Sequence, residues 1–334
     1  MRPGERMSNP GGHAVPPCLP TPIARLSAMV SPADVDEPRL MANASPQGYP
    51  ARETRADVRS AYSSKIIKAG ALLGDTRTLF ALWDLDQLVA ANLERFRRQN
   101  LLGKTSRKRA DDVLAIFRQR YLDDESTARA LAILTQAGLP NAVLDRISYF
   151  YAAQADHLLH DVVTDLLAVP ARDAEVSVDE VQRFIQELTR NAAGRQLWSA
   201  ETALRIAQGL LSTLRDFGIL KGTARKRLEM PYLPLEAFAF VALVLSRREG
   251  RGGGLVQSAE WRLFLLQPAD VERLFIEAQG HHLLTYHAAG SVVRVDFNLR
   301  ENGVLVGDAG SPASAAGATR QVEEYACALA QRAR

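Results

Sequence analysis

From Ala56 onward the chain keeps returning to one pattern: apolar residues three or four apart, in runs closed by helix-ending signals. That spacing has the period of an α-helix and not of a strand, so most of the chain must fold as amphipathic helices on a shared core. Leu79, Leu82 and Trp83 open the series; after a break at Asp84–Gln87 it resumes with Leu88, Ala91, Leu93 and Phe96. Further helices are expected over Ser106–Leu122, over Ser126–Gln136 with Gly138 as its stop, and over Asn141–Ala168 ahead of Pro170. Residues 57–170 are thus expected to form a first helical domain.

Beyond the Ala171–Ser177 connection the order of signals changes. Asp179–Arg190 reads as a short helix. Ser199 then caps a stronger one, with Ala203, Ile206, Ala207, Leu210, Leu211 and Leu214 as its stripe and Gly218 as its stop. Ile219–Leu220, a turn at Lys221–Thr223, and the alternation Leu228, Met230, Tyr232 follow. Helix, strand, turn and strand in that order spell a winged helix-turn-helix. A helix over Ala269–Gln279 and a hairpin pairing Leu283–His287 with Val292–Phe297 repeat the grammar. Gly250–Gly254 reads as the loop between the two units, and residues 177–300 are expected as a winged-helix-like second domain. Gly307–Gly317 reads as a spacer before a terminal helix carrying Val322, Tyr325 and Leu329, so 301–334 is a tail. Ten of the 16 prolines lie in the first 50 residues, where neither period is sustained. Residues 1–56 are therefore expected to be a disordered Pro/Gly-rich extension. The expected fold class is mainly α, two helical domains, with short β-hairpins in the second.

Composition removes several classes of function. The longest apolar run, Ala237–Leu245, falls far short of the ~20 residues of a membrane span and is followed by Ser246, Arg247 and Arg248, so it predicts a buried helix. The proline-broken start does not read as a secretory signal, and two cysteines near opposite ends, Cys18 and Cys327, form neither a disulfide framework nor a metal knuckle. A reducing, cytoplasmic setting is expected. Gly103-Lys104-Thr105 resembles the end of a phosphate-binding loop, but position 98, where that loop needs glycine, is Arg98. Gly250–Gly254 lacks dinucleotide spacing because Leu255 stands where the closing glycine belongs. His157 and His160, bracketed by Asp156, Asp161 and Asp165, read as a polar helix face rather than a metal site; His281, His282 and His287 do not converge. With no nucleophile elbow, metalloprotease helix or close carboxylate pair, neither a cofactor, a metal nor catalysis is expected. Trp83, Trp198 and Trp261 sit in apolar stripes and are expected in the core rather than as base-stacking platforms.

Charge is the informative quantity. The net charge is only +3, yet Arg95–Arg109 holds seven basic residues and no acid, and Lys221–Arg227 adds four more, so the remainder carries −8. Arg95, Arg97 and Arg98 end one expected helix; Lys104, Arg107, Lys108 and Arg109 open the next. Both groups converge on one corner, where guanidinium forks and free helix N-terminal N–H groups suit phosphate oxygens. The polar face of the Ser199 helix adds Arg205, Gln208, Ser212 and Arg215, and the expected wing adds Arg225, Lys226 and Arg227, the donor types that read base edges and hold the backbone.

Three segments together resemble a known family: Tyr62–Phe80 (YSSKIIKAGALLGDTRTLF), Gln99–Tyr121 (QNLLGKTSRKRADDVLAIFRQRY) and Trp198–Gly222 (WSAETALRIAQGLLSTLRDFGILKG). They are similar to BrxA, a family of the bacterial BREX phage-exclusion systems formerly catalogued as inner-membrane proteins. The resemblance spans roughly residues 57–240 and weakens onward to about 300. It implies a mainly helical fold with a part like the antitermination factor NusB, and a non-enzymatic role that includes binding double-stranded DNA. It also implies partners from the same system: a methyltransferase, an alkaline-phosphatase-like protein and ATPases. The corner from Lys104 to Arg109 falls in the second segment and the helix from Ser199 to Phe217 in the third. The expected function is a DNA-binding accessory protein of anti-phage defence that grips duplex DNA through its phosphates. A protein scaffold for the defence complex and an RNA-binding protein stand as alternatives, and the oligomeric state is open.

Overall fold

The computed structural model describes residues 62–168, 173–191, 194–290, 292–301, 304–307 and 315–333, all within one compact unit. The expectations for residues 1–56 and for most of the spacer Gly307–Gly317 lie outside them. The fold is mainly helical with small antiparallel sheets, as the apolar period requires.

A short helix α1 (Ile66–Ala69) leads into α2 (Leu73–Ala81) and α3 (Val89–Gln99). The break between α2 and α3 falls where Asp84–Gln87 predicts it, and its cause is visible in the structure. Asn92, fully buried on α3, bonds the Asp84 N–H at 3.0 Å and the Asp84 and Gln87 carbonyls at 2.8 and 3.2 Å. Gln136 takes the carbonyls of Phe80 and Trp83, Arg95 that of Leu82, and Arg129 that of Leu85. The backbone groups that helix termination leaves over are thus met by side chains.

Helix α4 (Arg107–Phe117) is capped by Ser106 and runs into a π-helical turn at Arg118–Leu122. Next come α5 (Glu125–Gln136) and α6 (Asn141–Ala155). The single helix expected over Asn141–Ala168 is broken. Asp156 leaves helical geometry at φ −119°, ψ 93°, and its carboxylate caps α7 (His157–Asp161) by accepting from the Leu158 and Leu159 N–H groups. A π-helical stretch, Val162–Leu167, completes that run. The apolar stripe continues through the break, which hides it from periodicity.

A two-residue strand, β1 (Glu175–Val176), occupies what reads as a connection in the sequence. Helices α8 (Val178–Leu188) and α9 (Ala200–Asp216) follow, capped by Ser177 and Ser199, and then β2 (Leu220–Lys221) and β3 (Lys226–Leu228). The sheet order is β1-β3-β2, antiparallel throughout, with Glu175 opposite Arg227 and Leu220 opposite Leu228. Met230 and Tyr232 fall beyond β3, so the expected alternation ends at Leu228. Gly218 stops α9 at φ +70°, a left-handed conformation that a side chain would strain.

The apolar run expected to be buried forms α10 (Leu235–Glu249), with Ala237–Leu243 and Leu245 inaccessible to within one per cent. Part of the expected Gly250–Gly254 loop is helical, as α11 (Gly253–Gln257). A 3₁₀ turn (Ala259–Phe264) precedes α12 (Pro268–Gly280), and the hairpin β4 (Leu284–Ala289) and β5 (Val292–Glu301) acquires a third strand, β6 (Val304–Gly307). In the terminal helix α13 (Ala315–Arg332), Val322, Tyr325 and Leu329 are buried as the stripe predicts. Phe238 stacks on Trp261 at 4.9 Å and meets Phe275 edge-on at 4.8 Å, tying α10, the 3₁₀ turn and α12 into one core. Trp83 and Trp261 are core residues, and Trp198 is half-buried against the core.

Candidate nucleic-acid interface

The corner between α3 and α4 forms because Asn100, in the left-handed region at φ +46°, closes the connecting turn on itself. Its side chain donates to the Lys104 carbonyl at 3.0 Å and accepts from the Lys104 N–H at 2.9 Å. Ser106 then accepts from the Arg109 N–H at 3.2 Å and starts α4. The first turn of α4 carries Arg107, Lys108 and Arg109 and no acid. Cations at a helix N-terminus oppose the helix dipole, typically by 0.3–1 kcal/mol each. All three oppose the dipole there, and for Arg107 and Lys108 no side-chain contact among the described residues offsets it, a local conflict of the kind found where a chain meets a ligand.

The seven basic residues divide by what they touch. Arg95 donates to the Leu82 carbonyl and to Asn92 Oδ1 and lies 5.6 Å from the Phe96 ring, so it braces the α2–α3 loop. Lys104 Nζ is 2.7 Å from both oxygens of Asp75, with only a fifth of its side chain exposed. Arg109 donates to the Lys68 carbonyl at 3.0 Å and holds α1 against α4. These three serve the fold. Arg98 is 73% exposed, with a loose 3.6 Å approach to Glu94. Arg107 and Lys108 are exposed and make no side-chain hydrogen bond or ion pair among the described residues.

Arg97 is intermediate between these groups. Its Nε donates to Asp111 Oδ1 at 2.7 Å, a hydrogen bond that raises the Arg97 pKa and lowers that of Asp111. Two open clefts meet at Arg97. One, about 250 Å³, is lined by Arg97, Arg98, Lys104, Arg107 and the turn to Ser106, with no acid among its lining residues. The other, about 320 Å³, has an apolar floor of Leu93 and Leu114, with Arg97, Arg118, Glu94 and Asp111 around it. Arg118 is an addition that sequence reasoning missed. It stands eleven residues after Arg107, three helical turns along the same face, and that spacing was there to be read.

The second basic region is less open. Arg205 pairs with Glu201 at 2.6 Å and Arg215 with Asp216 at 2.7 Å, with Ser212 3.4 Å from Arg215; Gln208 is exposed. This face is covered at one edge by α1, which packs on Gly209; an added Cβ there would lie 3.4 Å from the Ile66 carbonyl oxygen, an ordinary contact. On the β2–β3 turn, Arg225 is exposed and Lys226 donates to the Thr223 carbonyl at 3.0 Å. Arg227 and Lys221 both reach Asp173, at 3.3 and 2.9 Å.

Of the histidine pair, His157 is exposed and His160 does different work from metal ligation. His160 lies between Asp161, 3.2 Å from Nδ1, and Glu260, 3.3 Å from Nε2, and Gln154 donates to the same Glu260 oxygen. Burial opposes the imidazolium, but the hydrogen bonds and charges of the two carboxylates outweigh it and raise the His160 pKa to about 9. Among the described residues no cluster of three or more His, Cys, Asp or Glu has the arrangement of a metal site, and no helix is long and apolar enough to cross a membrane.

A model of the BrxA family matches residues 60–243, more than half of the chain, and takes in both basic regions. No curated protein and no solved structure matches the chain.

Proposed function

The chain belongs to the BrxA family, which makes it a component of BREX defence, and from that premise we propose that it is a non-catalytic DNA-binding accessory protein of the defence complex. The observation that carries the reading is the α3–α4 corner: Arg98, beside Arg97 in the last turn of α3, and Arg107 and Lys108, on the capped N-terminus of α4 where cations oppose the dipole, are all held out from the fold. Guanidinium forks and N-terminal amides bind phosphate oxygens regardless of base, so the contact is to the duplex backbone.

In this reading residues 57–170 are the NusB-like bundle that carries the corner, and 177–300 hold the winged-helix units. The order β1-α8-α9-β2-β3 with sheet order β1-β3-β2 supports a winged helix, with α9 as the recognition helix and Arg225 and Lys226 on the wing. The edge covered at Gly209 and the ion pairs of Arg205 and Arg215 make this unit the secondary contact. The same features favour a second reading for it, as a docking unit for another BREX component such as the methyltransferase, the phosphatase-like protein or an ATPase.

Competition tests the choice of polymer. Bound to a labelled random-sequence duplex, the protein is expected to release it to unlabelled duplex at least about tenfold more readily than to a structured RNA of equal phosphate number. Equal or stronger displacement by the RNA would transfer the site to RNA binding.

A further inference from the structure

The Asp111 carboxylate stands in the middle of the cationic corner, where simple electrostatics makes it an obstacle to any polyanion. Its geometry suggests another role. Asp111 contacts Arg97 only through Nε, and it lines the second cleft but not the first. Arg97 lines both. A carboxylate that holds Nε fixes the plane of the guanidinium and leaves its two terminal nitrogens, which make no hydrogen bond among the described residues, as an open fork. Of the two clefts that Arg97 lines, the first, with Arg98, Lys104 and Arg107 around it and no acid, is the one that suits an anion. Without Asp111, the side chain has four torsions free, with only the longer-range charge of Glu94 to direct them.

Resting on the phosphate-binding reading above, we propose that Asp111 is a positioning residue, which presents the Arg97 fork to a backbone phosphate at the first cleft, next to the phosphates that Arg98 and Arg107 meet. The hydrogen-bonded carboxylate supplies orientation that the phosphate contact would otherwise have to provide on binding, in the way that outer partners orient the groups of a preorganised site.

Asp111→Ala and Asp111→Asn separate this from the electrostatic alternative, because both remove the same negative charge. Fluorescence-anisotropy binding of each full-length variant to a random-sequence duplex is the readout, with thermal melts confirming equal folding. Positioning predicts that Asp111→Ala binds about two- to tenfold more weakly than the parent despite its extra net positive charge, the cost of ordering one rotamer-rich side chain. Asp111→Asn keeps an oxygen for Nε and is expected to bind as well as the parent or better. Arg97→Lys, which keeps the charge and lacks the fork, is expected to fall with the alanine variant. Tighter binding by both Asp111 variants, with parental binding still salt-dependent, would overturn positioning and leave the phosphate site standing as one that Asp111 inhibits. Loss of salt-dependent binding in the parent itself would remove the site and this role together.

Discussion

Replacing Arg98, Arg107 and Lys108 together with alanine is expected to weaken binding to random-sequence duplex DNA about a hundredfold near 0.15 M salt. Each phosphate contact contributes about 0.9 to the slope of log K against log salt, so three lost contacts flatten it by about 2.7. Curves that differ only electrostatically converge near 1 M salt, which puts the separation at 0.15 M at roughly two log units. The variant should be at least as stable as the parent. Arg107 and Lys108 make no side-chain hydrogen bond or ion pair among the described residues, and the Arg98–Glu94 pair is exposed. Removing two cations from the first turn of α4 relieves the dipole conflict there, which offsets the loss of Arg98 from the last turn of α3, where a cation is favourable. A loss of affinity without a loss of stability separates this site from a folding defect. Arg95, Lys104 and Arg109 are the wrong residues to change for that purpose, because their removal would undo the α2–α3 loop, the Asp75 pair and the α1 contact. Retention of the parental slope in the triple variant would place the DNA contacts elsewhere.

The second large effect is on stability and is set by pH. In the folded chain the His160 pKa is raised to about 9, from an ordinary value of 6.5. A group whose pKa rises on folding contributes stability in full below its unfolded pKa, and that contribution is lost as pH climbs through the folded pKa. The window is therefore from about 6.5 to 9, and the loss across it is on the order of 3 kcal/mol. Glu260 runs the other way at low pH: burial raises its pKa, but the hydrogen bonds of His160 and Gln154 and the charges of His160 and Arg248 together outweigh it and lower the pKa, so its share is lost only as the pH falls through the acidic range. Urea midpoints at pH 6.5 and 9.5 should show the drop in the parent, and a much smaller one in His160→Gln. Parallel falls in both proteins would mean that His160 does not carry the charge. The cluster also bears on the corner, since Tyr62 donates to Asp161 at 2.5 Å and anchors the segment entering α1. Helix α1 in turn receives Arg109 from α4 and packs on Gly209 of α9.

What the sequence makes legible follows the range of the interactions. Helix stripes, the Ser106 and Ser199 caps and the Gly218 stop are set by residues within one or two turns, and they stand where periodicity and capping place them. The break at Asp156 was hidden because the apolar stripe runs through it, and β1 because two residues show no alternation. The corner itself was legible as a run of charge, but not its division into structural and outward-facing members. Lys104 finds Asp75 29 residues away and Arg109 finds Lys68 41 residues away, partners that no local pattern reveals. His160 and Glu260 lie 100 residues apart, so of the two histidines that read as a polar helix face His157 is exposed, while His160 belongs to a largely buried ion cluster.

The central claim is that this chain holds nucleic acid by its phosphates at the α3–α4 corner. The most direct test is the anisotropy of a labelled random-sequence duplex, titrated with the parent protein from roughly 50 to 300 mM salt. Five phosphates, one for each of Arg97, Arg98, Arg107, Lys108 and Arg118, give a log–log slope near −4.5. A slope of that size, lost in large part with Arg98, Arg107 and Lys108, is the predicted result. Absence of binding at 50 mM, or binding indifferent to salt, would contradict it and turn the corner into a surface for another protein.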